Sequence, residues 1–283
     1  MPALGNFVPS GMARLWFGPH PDRARQDAET LLLHVLGKNK AWLLAHADDE
    51  LPEDQARLYS ELVERRHQGE PLQYITGRAE FYGLPFHVNR DVLIPRPETE
   101  HAVEKALELA AQFDAPRIVD VGTGSGAIAV ALAHKLHAAS IMAIDLSRAA
   151  LAIAKDNAAR NGVADRIRFL EGDLLGPVGP EQFEIVVSNP PYVPEIDRES
   201  LSVEVRDYEP AQALFAGGDG LAIYRRLIPD AFRALVCGGF VVFEIGYGQQ
   251  ASVAALLKDA GFTQIAFTAD LQGIPRVASA RRG

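Results

Sequence analysis

The stretch Val119-Asp120-Val121-Gly122-Thr123-Gly124-Ser125-Gly126 constrains this chain more than any other. A buried-type strand (Ile118 to Val121) runs straight into three alternate glycines, and a helical pattern follows over residues 128–136. A strand that turns directly into a helix needs that helix to carry the chain back before the next strand can pair in parallel. The alternation repeats. Strands are expected at 141–145, 166–170, 183–187 and 240–245, with helices at 147–162 and 221–235. Such a series specifies an α/β fold, a parallel sheet with helices on both faces. The last strands, near 263–267 and 276–280, have no clear helix between them and are expected to form an antiparallel hairpin at the sheet edge.

The first 70 residues carry a different pattern. Ala24, Ala28, Leu31, Leu32 and Val35 recur at helical spacing over 22–36, with Gly37 as the stop. Pro52 opens a second helix, with Ala56, Tyr59, Leu62 and Val63 on one face. Pro71, Gly77, Gly83, Pro85, Pro95 and Pro97 then punctuate short apolar runs, which reads as a hairpin or extended connector. A helix follows over 98–113. The expected organisation is a helical domain at 1–70, a connector at 71–97 and an α/β domain at 98–283.

Charge and composition narrow the partners. Lys+Arg 28 against Asp+Glu 37 gives −9, a poor balance for gripping a phosphate backbone, although a local basic patch stays open. The apolar run at 127–133 stops at His134, far short of the roughly 20 residues a bilayer span needs. The N-terminus lacks a basic segment followed by an apolar one, so no secretory signal is expected. A lone cysteine, Cys237, excludes an internal disulfide and fits a reducing, cytoplasmic setting. It reads as a small buried hydrophobe at a helix–strand connection. His134 and His137 are spaced i, i+3 on the helix after the glycines, but no third ligand lies within helical reach, so a solvated surface is expected rather than a metal site.

The glycines allow a tight turn and close backbone approach to a ligand. Their spacing is not G-x-G-x-x-G, and no Lys-Ser/Thr follows, so a ligand without phosphates is favoured. Asp145 ends the second strand, where its carboxylate can accept from both ribose hydroxyls. Asp173 ends the third and can accept from an exocyclic amine such as that of adenine. Alone, a glycine turn is often packing and a strand-end Asp is often a helix cap. Together they point to a nucleoside cofactor. The combination resembles the S-adenosylmethionine (SAM) site of the seven-stranded, Rossmann-like methyltransferases, which puts Asp120 near the methionine end.

Asn189-Pro190-Pro191-Tyr192 follows the fourth strand. Two prolines offer no N–H and turn the chain with its carbonyls outward. The Asn189 side-chain oxygen and the Pro190 carbonyl can accept both hydrogens of a planar amino group, and Tyr192 offers a flat face to it. This turn is the signature of methyltransferases acting on adenine N6, cytosine N4 or glutamine amide nitrogen.

The resemblance becomes specific in Gly69-Glu70-Pro71-Leu72-Gln73-Tyr74-Ile75-Thr76-Gly77, in Leu93-Ile94-Pro95-Arg96-Pro97-Glu98-Thr99-Glu100, and in Glu204-Val205-Arg206-Asp207-Tyr208-Glu209-Pro210. With the glycine loop and the Asn-Pro-Pro-Tyr turn, these make the chain similar to the HemK/PrmC family, the release factor glutamine methyltransferases. The resemblance implies a seven-stranded SAM-dependent methyltransferase domain preceded by a small all-helical domain that helps dock peptide chain release factors. It implies that the glutamine of their Gly-Gly-Gln loop is methylated on its side-chain amide, with SAM converted to S-adenosylhomocysteine. By carry-over, Gly122 to Gly126 and Asp145 bind SAM, and Asn189 to Tyr192 hold the glutamine, with Asn189 also beside the cofactor. Leu174 stands where relatives place an aromatic or apolar residue against adenine, so any stacking is lost. Neither nucleic-acid contact nor membrane attachment is implied, and a monomer is expected. A ribosomal-protein glutamine methyltransferase, a nucleic-acid N6-adenine methyltransferase and a non-catalytic SAM-binding adaptor are the competing readings.

Overall fold

In the computed structural model, which describes residues 3–283, the chain divides into two units. One is Met1–Arg78 with Leu201–Tyr208; the other is Ala79–Ser200 with Glu209–Gly283. The first is built of helices: α1 (Phe7–Leu15), α2 (Ala24–Leu36), α3 (Lys40–Ala45), α4 (Glu53–His67) and α5 (Leu72–Thr76). Gly37 stops α2 in the left-handed region (φ 62), and the Asn39 side chain caps α3 by accepting from the Trp42 N–H. The apolar faces foreseen on α2 and α4 form the core, where Leu31 and Leu32 meet Tyr59, Leu62 and Val63. Gly11 lets α1 come close, since a Cβ there would lie 2.0 Å from the Tyr59 hydroxyl. Arg66 is buried; it donates to Asp27 at 2.6 Å and to the Glu70 carbonyl at 3.0 Å, and pairs with Glu204 of the returning segment. Helix α5 occupies the start of the stretch expected to be extended, because Gly77, at φ 70, closes a full helical turn after Pro71.

The second unit opens with a hairpin, β1 (Arg78–Phe81) and β2 (Leu84–His87). Tyr82 and Gly83, both at positive φ, make its two-residue turn. The helix expected from residue 98 begins as a 3-10 turn, Pro97–Thr99, before α6 (Glu100–Ala110). There follow β3 (Arg117–Val121), α7 (Ala127–Lys135), β4 (Ser140–Asp145), α8 (Arg148–Arg160), β5 (Ile167–Glu171) and β6 (Phe183–Ser188). A short helix, α9 (Val203–Tyr208), is the segment that joins the first unit. The chain ends with α10 (Ala222–Ala234), β7 (Leu235–Glu244), α11 (Gln250–Asp259), β8 (Phe262–Ala269) and β9 (Pro275–Arg282).

The sheet has seven strands in the order β5-β4-β3-β6-β7-β9-β8. Pairs are parallel from β5 to β7, and β9 runs antiparallel between β7 and β8. The seven-stranded α/β expectation and the antiparallel end both hold. Helix α11 was not anticipated. Strands β3, β4 and β6 are near-continuously apolar because both of their faces are covered. So is α7, in which every residue from Ala127 to Ala133 is buried, which explains the uninterrupted apolar run.

Two smaller expectations need correction. Cys237 is exposed and lies inside β7, not buried at a connection. The β6–β7 register slips between Phe183↔Leu235 and Ile185↔Phe240, so four residues bulge away from the ladder and carry the thiol outward. His137 lies beyond α7, which ends at Lys135, so the two histidines do not share a helix face. Both are exposed, and among the described residues no group of three or more His, Cys, Asp or Glu is placed to hold a metal.

Candidate active site

Strand order reverses at β3, with β4 on one side and β6 on the other. Loops leaving the carboxyl ends of these strands diverge to opposite faces and leave a crevice. A cleft opens there within the second unit, lined along one wall by Gly122-Thr123-Gly124-Ser125 and along another by Ser188-Asn189-Pro190-Pro191. Asp145, Leu146, Asp173 and Leu174 line it too, as do Arg96, Thr99 and Gln212.

The glycine wall is fixed by backbone bonds. Gly122 and Thr123 both donate to the Ile144 carbonyl, at 2.8 and 2.9 Å, and Gly126 donates to the Thr123 carbonyl at 2.8 Å. Gly122 and Gly124 have φ 73 and 55, and a Cβ on either would meet no protein atom within 4 Å. They are glycines for backbone conformation and for the open face they leave toward the cleft. Gly126 differs: it lies outside the lining, and its Cβ would press on Ala154 at 3.1 Å. Asn157, fully buried on α8, donates to the Ser125 carbonyl at 2.8 Å and the His87 carbonyl at 2.9 Å, so the hairpin and the glycine loop share one anchor.

The expected acidic residues take three different environments. Asp145 accepts from the Gly124 N–H through Oδ2 and the Ser147 N–H through Oδ1, both at 2.8 Å; burial pushes its carboxyl up while these bonds pull it down. Asp173 lines the cleft but pairs through Oδ2 with Arg226. Asp120 does not line the cleft. It is fully buried beneath the glycine loop, where Oδ2 accepts from the Thr123 hydroxyl at 2.6 Å and the Ala129 N–H at 3.2 Å. Its Oδ1 has no partner, and burial pushes the acid up to about 7. Leu174 sits at φ 48, a left-handed conformation uncommon for a branched side chain, with its backbone turned at the cleft edge.

The Asn-Pro-Pro-Tyr turn leaves β6 beside the glycine loop, and Ser188 ties the two together by donating to the Val121 carbonyl at 2.6 Å. Asn189 donates through Nδ2 to Thr99 Oγ1 at 3.1 Å, and Thr99 donates to Glu244 Oε2 at 2.6 Å. Tyr192 stands behind the lining rather than in it, and its hydroxyl donates to Glu244 Oε1 at 3.2 Å. Burial, reinforced by Glu244, raises the Tyr192 phenol and keeps it neutral. Gln249 holds the turn's backbone, donating to the Tyr192 carbonyl at 3.0 Å. Thr99, Glu244 and Gln249 escaped the sequence reading as members of the site. Thr99 lies inside the Leu93–Glu100 motif, but nothing local joins it to residues 90 and 145 positions away.

Comparison with known proteins agrees with this architecture. Residues 19–77 match the PrmC N-terminal domain, and residues 105–226 match the methyltransferase small domain. The release factor glutamine methyltransferase of Koribacter versatilis is 43% identical over 259 residues, covering 91% of each chain. That of Geobacter sulfurreducens is 42% identical, covering 93% of this chain and 91% of its own. The hMettl16 catalytic domain, solved in complex with an RNA hairpin, superposes with a TM-score of 0.58 at 17% identity over 82% of each chain, a likeness of fold. With relatives above 40% identical matched along nearly the whole length, the chain belongs to the release factor glutamine methyltransferase family.

Proposed function

We propose that this chain transfers the methyl group of SAM to the side-chain amide nitrogen of the glutamine in the Gly-Gly-Gln loop of peptide chain release factors. The observation that carries the reading is that Asn189 and Pro190 line the same cleft as the glycine loop, on the neighbouring strand's carboxyl end. The residues present fit the cofactor. Gly122 and Gly124 leave their Cβ positions open, and the Asp145 carboxylate keeps acceptor capacity for a ribose hydroxyl beyond the backbone N–H bonds it already accepts. Leu146 and Leu174 supply apolar surface for adenine, whose amine would meet Oδ1 of Asp173 because Arg226 holds Oδ2. When bound, SAM supplies an electrophilic methyl on a sulfonium.

The rest is done by the turn. An amide nitrogen is a weak nucleophile because its lone pair is delocalised into the carbonyl. Asn189 Oδ1 and the Pro190 carbonyl accept its two hydrogens, which favours positive charge on nitrogen as the lone pair turns toward the methyl. Holding the two reactants in line can supply up to roughly 7–11 kcal/mol of the barrier. The nitrogen becomes acidic once it carries charge, so the departing proton passes to water and no dedicated base is required. Release-factor docking falls to the helical unit, where Phe17 (81% exposed) and Leu44 (71%) offer apolar contact surface.

The direct test gives the protein methyl-labelled SAM and three acceptors: a folded release factor, large-subunit ribosomal protein and duplex DNA. Mass spectrometry should place the methyl on the Gly-Gly-Gln glutamine. Label only on the ribosomal protein or DNA would overturn the substrate, and no label anywhere would favour a SAM-binding adaptor.

A further inference from the structure

Beneath the Asn-Pro-Pro-Tyr turn lies a carboxylate that never reaches the cleft. Glu244 closes β7, is 2% exposed and is absent from the lining. Its side-chain oxygens both bond to groups around the turn, while its backbone bonds to the core. Oε2 accepts from Thr99, Oε1 accepts from Tyr192, and its backbone carbonyl accepts from the Tyr224 hydroxyl. We infer that Glu244 is a positioning residue for amide methylation: acting through Thr99 it dictates which end of the Asn189 amide faces the cleft, and acting through the Tyr192 hydroxyl it fixes the turn's ring. The inference rests on the function proposed above.

Hydrogen-bond polarity sets the orientation of the Asn189 amide. An ionised carboxylate can only accept. The single hydroxyl hydrogen of Thr99 is therefore committed to Glu244, and only oxygen lone pairs remain for Asn189. Asn189 must answer with its NH2, at 3.1 Å, which leaves Oδ1 as the amide atom available to the cleft. The two ends of an Asn amide are nearly equal in size, so packing alone would not choose between them. Reversed, the side chain would aim two donors at a substrate amide that brings two donors of its own. Turnover needs the acceptor, and Glu244 is what selects it.

The same chain makes the selection sensitive to pH. Burial pushes Glu244 up to about 7 against the lowering effect of the Thr99 and Tyr192 hydrogen bonds; Glu98 raises it further and Arg276 lowers it. Tyr192 and Tyr224 face it as neutral phenols. Protonated Glu244 can donate, and the polarity imposed on Thr99 is lost. Turnover therefore belongs to the ionised form and falls as pH drops through the folded-state value.

The experiment compares wild type, Glu244→Gln, Thr99→Val and the double variant on a folded release factor at saturating SAM. It measures kcat, KM for the release factor, SAM affinity and thermal midpoint, with kcat followed from pH 5.5 to 8.5. Each variant should lower kcat by about 10–100-fold, the scale expected for a misplaced reacting group. SAM affinity should stay within about twofold, since the groups holding the cofactor are untouched. The double variant should be no worse than the poorer single one, because the residues act in series. The acid limb of the wild-type profile should vanish in Glu244→Gln. If that variant fails to fold, Thr99→Val decides, since it keeps the carboxylate and its bond to Tyr192. Folded variants with near wild-type kcat, a loss confined to SAM affinity, or a wild-type kcat flat between pH 6 and 8 would each overturn the inference while leaving the function intact. A wild type that never modifies glutamine would remove the function, and this inference with it.

Discussion

The two walls of the cleft each stand on a buried carboxylate, and the two are used differently. Asp120 lies under the glycine loop and Glu244 under the Asn-Pro-Pro-Tyr turn; neither lines the cleft, and burial pushes both up to about 7. The partners of Asp120 are local, the Thr123 hydroxyl and the Ala129 N–H. Those of Glu244 are remote side chains, Thr99 and Tyr192. Backbone bonds already hold the glycine loop, so Asp120 reinforces a shape that φ angles largely fix. The Asn189 amide has no such backbone restraint on its orientation and depends on a side-chain relay. A rigid cradle suits cofactor binding, whereas the acceptor wall needs a defined hydrogen-bond direction.

That contrast predicts losses of different kinds at the two walls. The largest is expected from Asn189→Ala, which removes an acceptor for charge that develops in the transition state. Its kcat should fall by about 10²–10³-fold, as for loss of one oxyanion-type partner, while SAM affinity changes little. A parallel fall in SAM affinity would make Asn189 a cofactor residue and erase the division between the walls. Asp145→Ala should do the reverse. Losing hydrogen bonds to a charged group costs about 1.5–3 kcal/mol, so SAM should bind roughly 10–100-fold more weakly, with kcat at saturation nearly intact. A large kcat defect at saturating SAM would contradict that assignment.

The smallest effect concerns stability. A carboxyl raised in the folded state binds its proton more tightly there than in the unfolded chain, so stability is greatest at acid pH and declines as pH rises toward the folded value. For Asp120, raised from 3.8 to about 7, the window runs from about pH 4 to 7. Between pH 5 and pH 7 Asp120 alone should account for a loss of about 2 kcal/mol in urea unfolding, to which Glu244 adds in the same direction, and Asp120→Asn should remove its share. An unchanged slope would mean that Asp120 is ionised and solvated by water in solution, so that the two carboxylates are not comparable.

Much of this molecule was legible in the sequence because the signals are local. The alternation of strand and helix, the glycines of a strand-to-helix turn, an Asp at a strand end and Asn-Pro-Pro-Tyr are all encoded within a few residues. Each landed at the carboxyl edge of the sheet, where open α/β folds bind ligands. Asp120 was legible as a residue but not as a role: its side chain turns under the loop and not into the cleft. Cys237 was misread because a slip of register, which depends on the neighbouring strand, carries it outward.

Periodicity and spacing by themselves determined that the chain folds as a helical unit followed by an α/β sheet with a glycine loop and an acceptor-bearing turn. Only the tertiary structure decided that α9 leaves the second unit to pair Glu204 with Arg66, that β9 runs between β7 and β8, and that Thr99 and Glu244 meet behind Asn189. The physical reason is one of range. Backbone conformation and the pattern of burial are set by neighbours a few residues away, so they leave a periodic trace. A hydrogen bond between side chains 145 positions apart exists because sheet order brings its two ends together, and no short stretch of sequence carries that information.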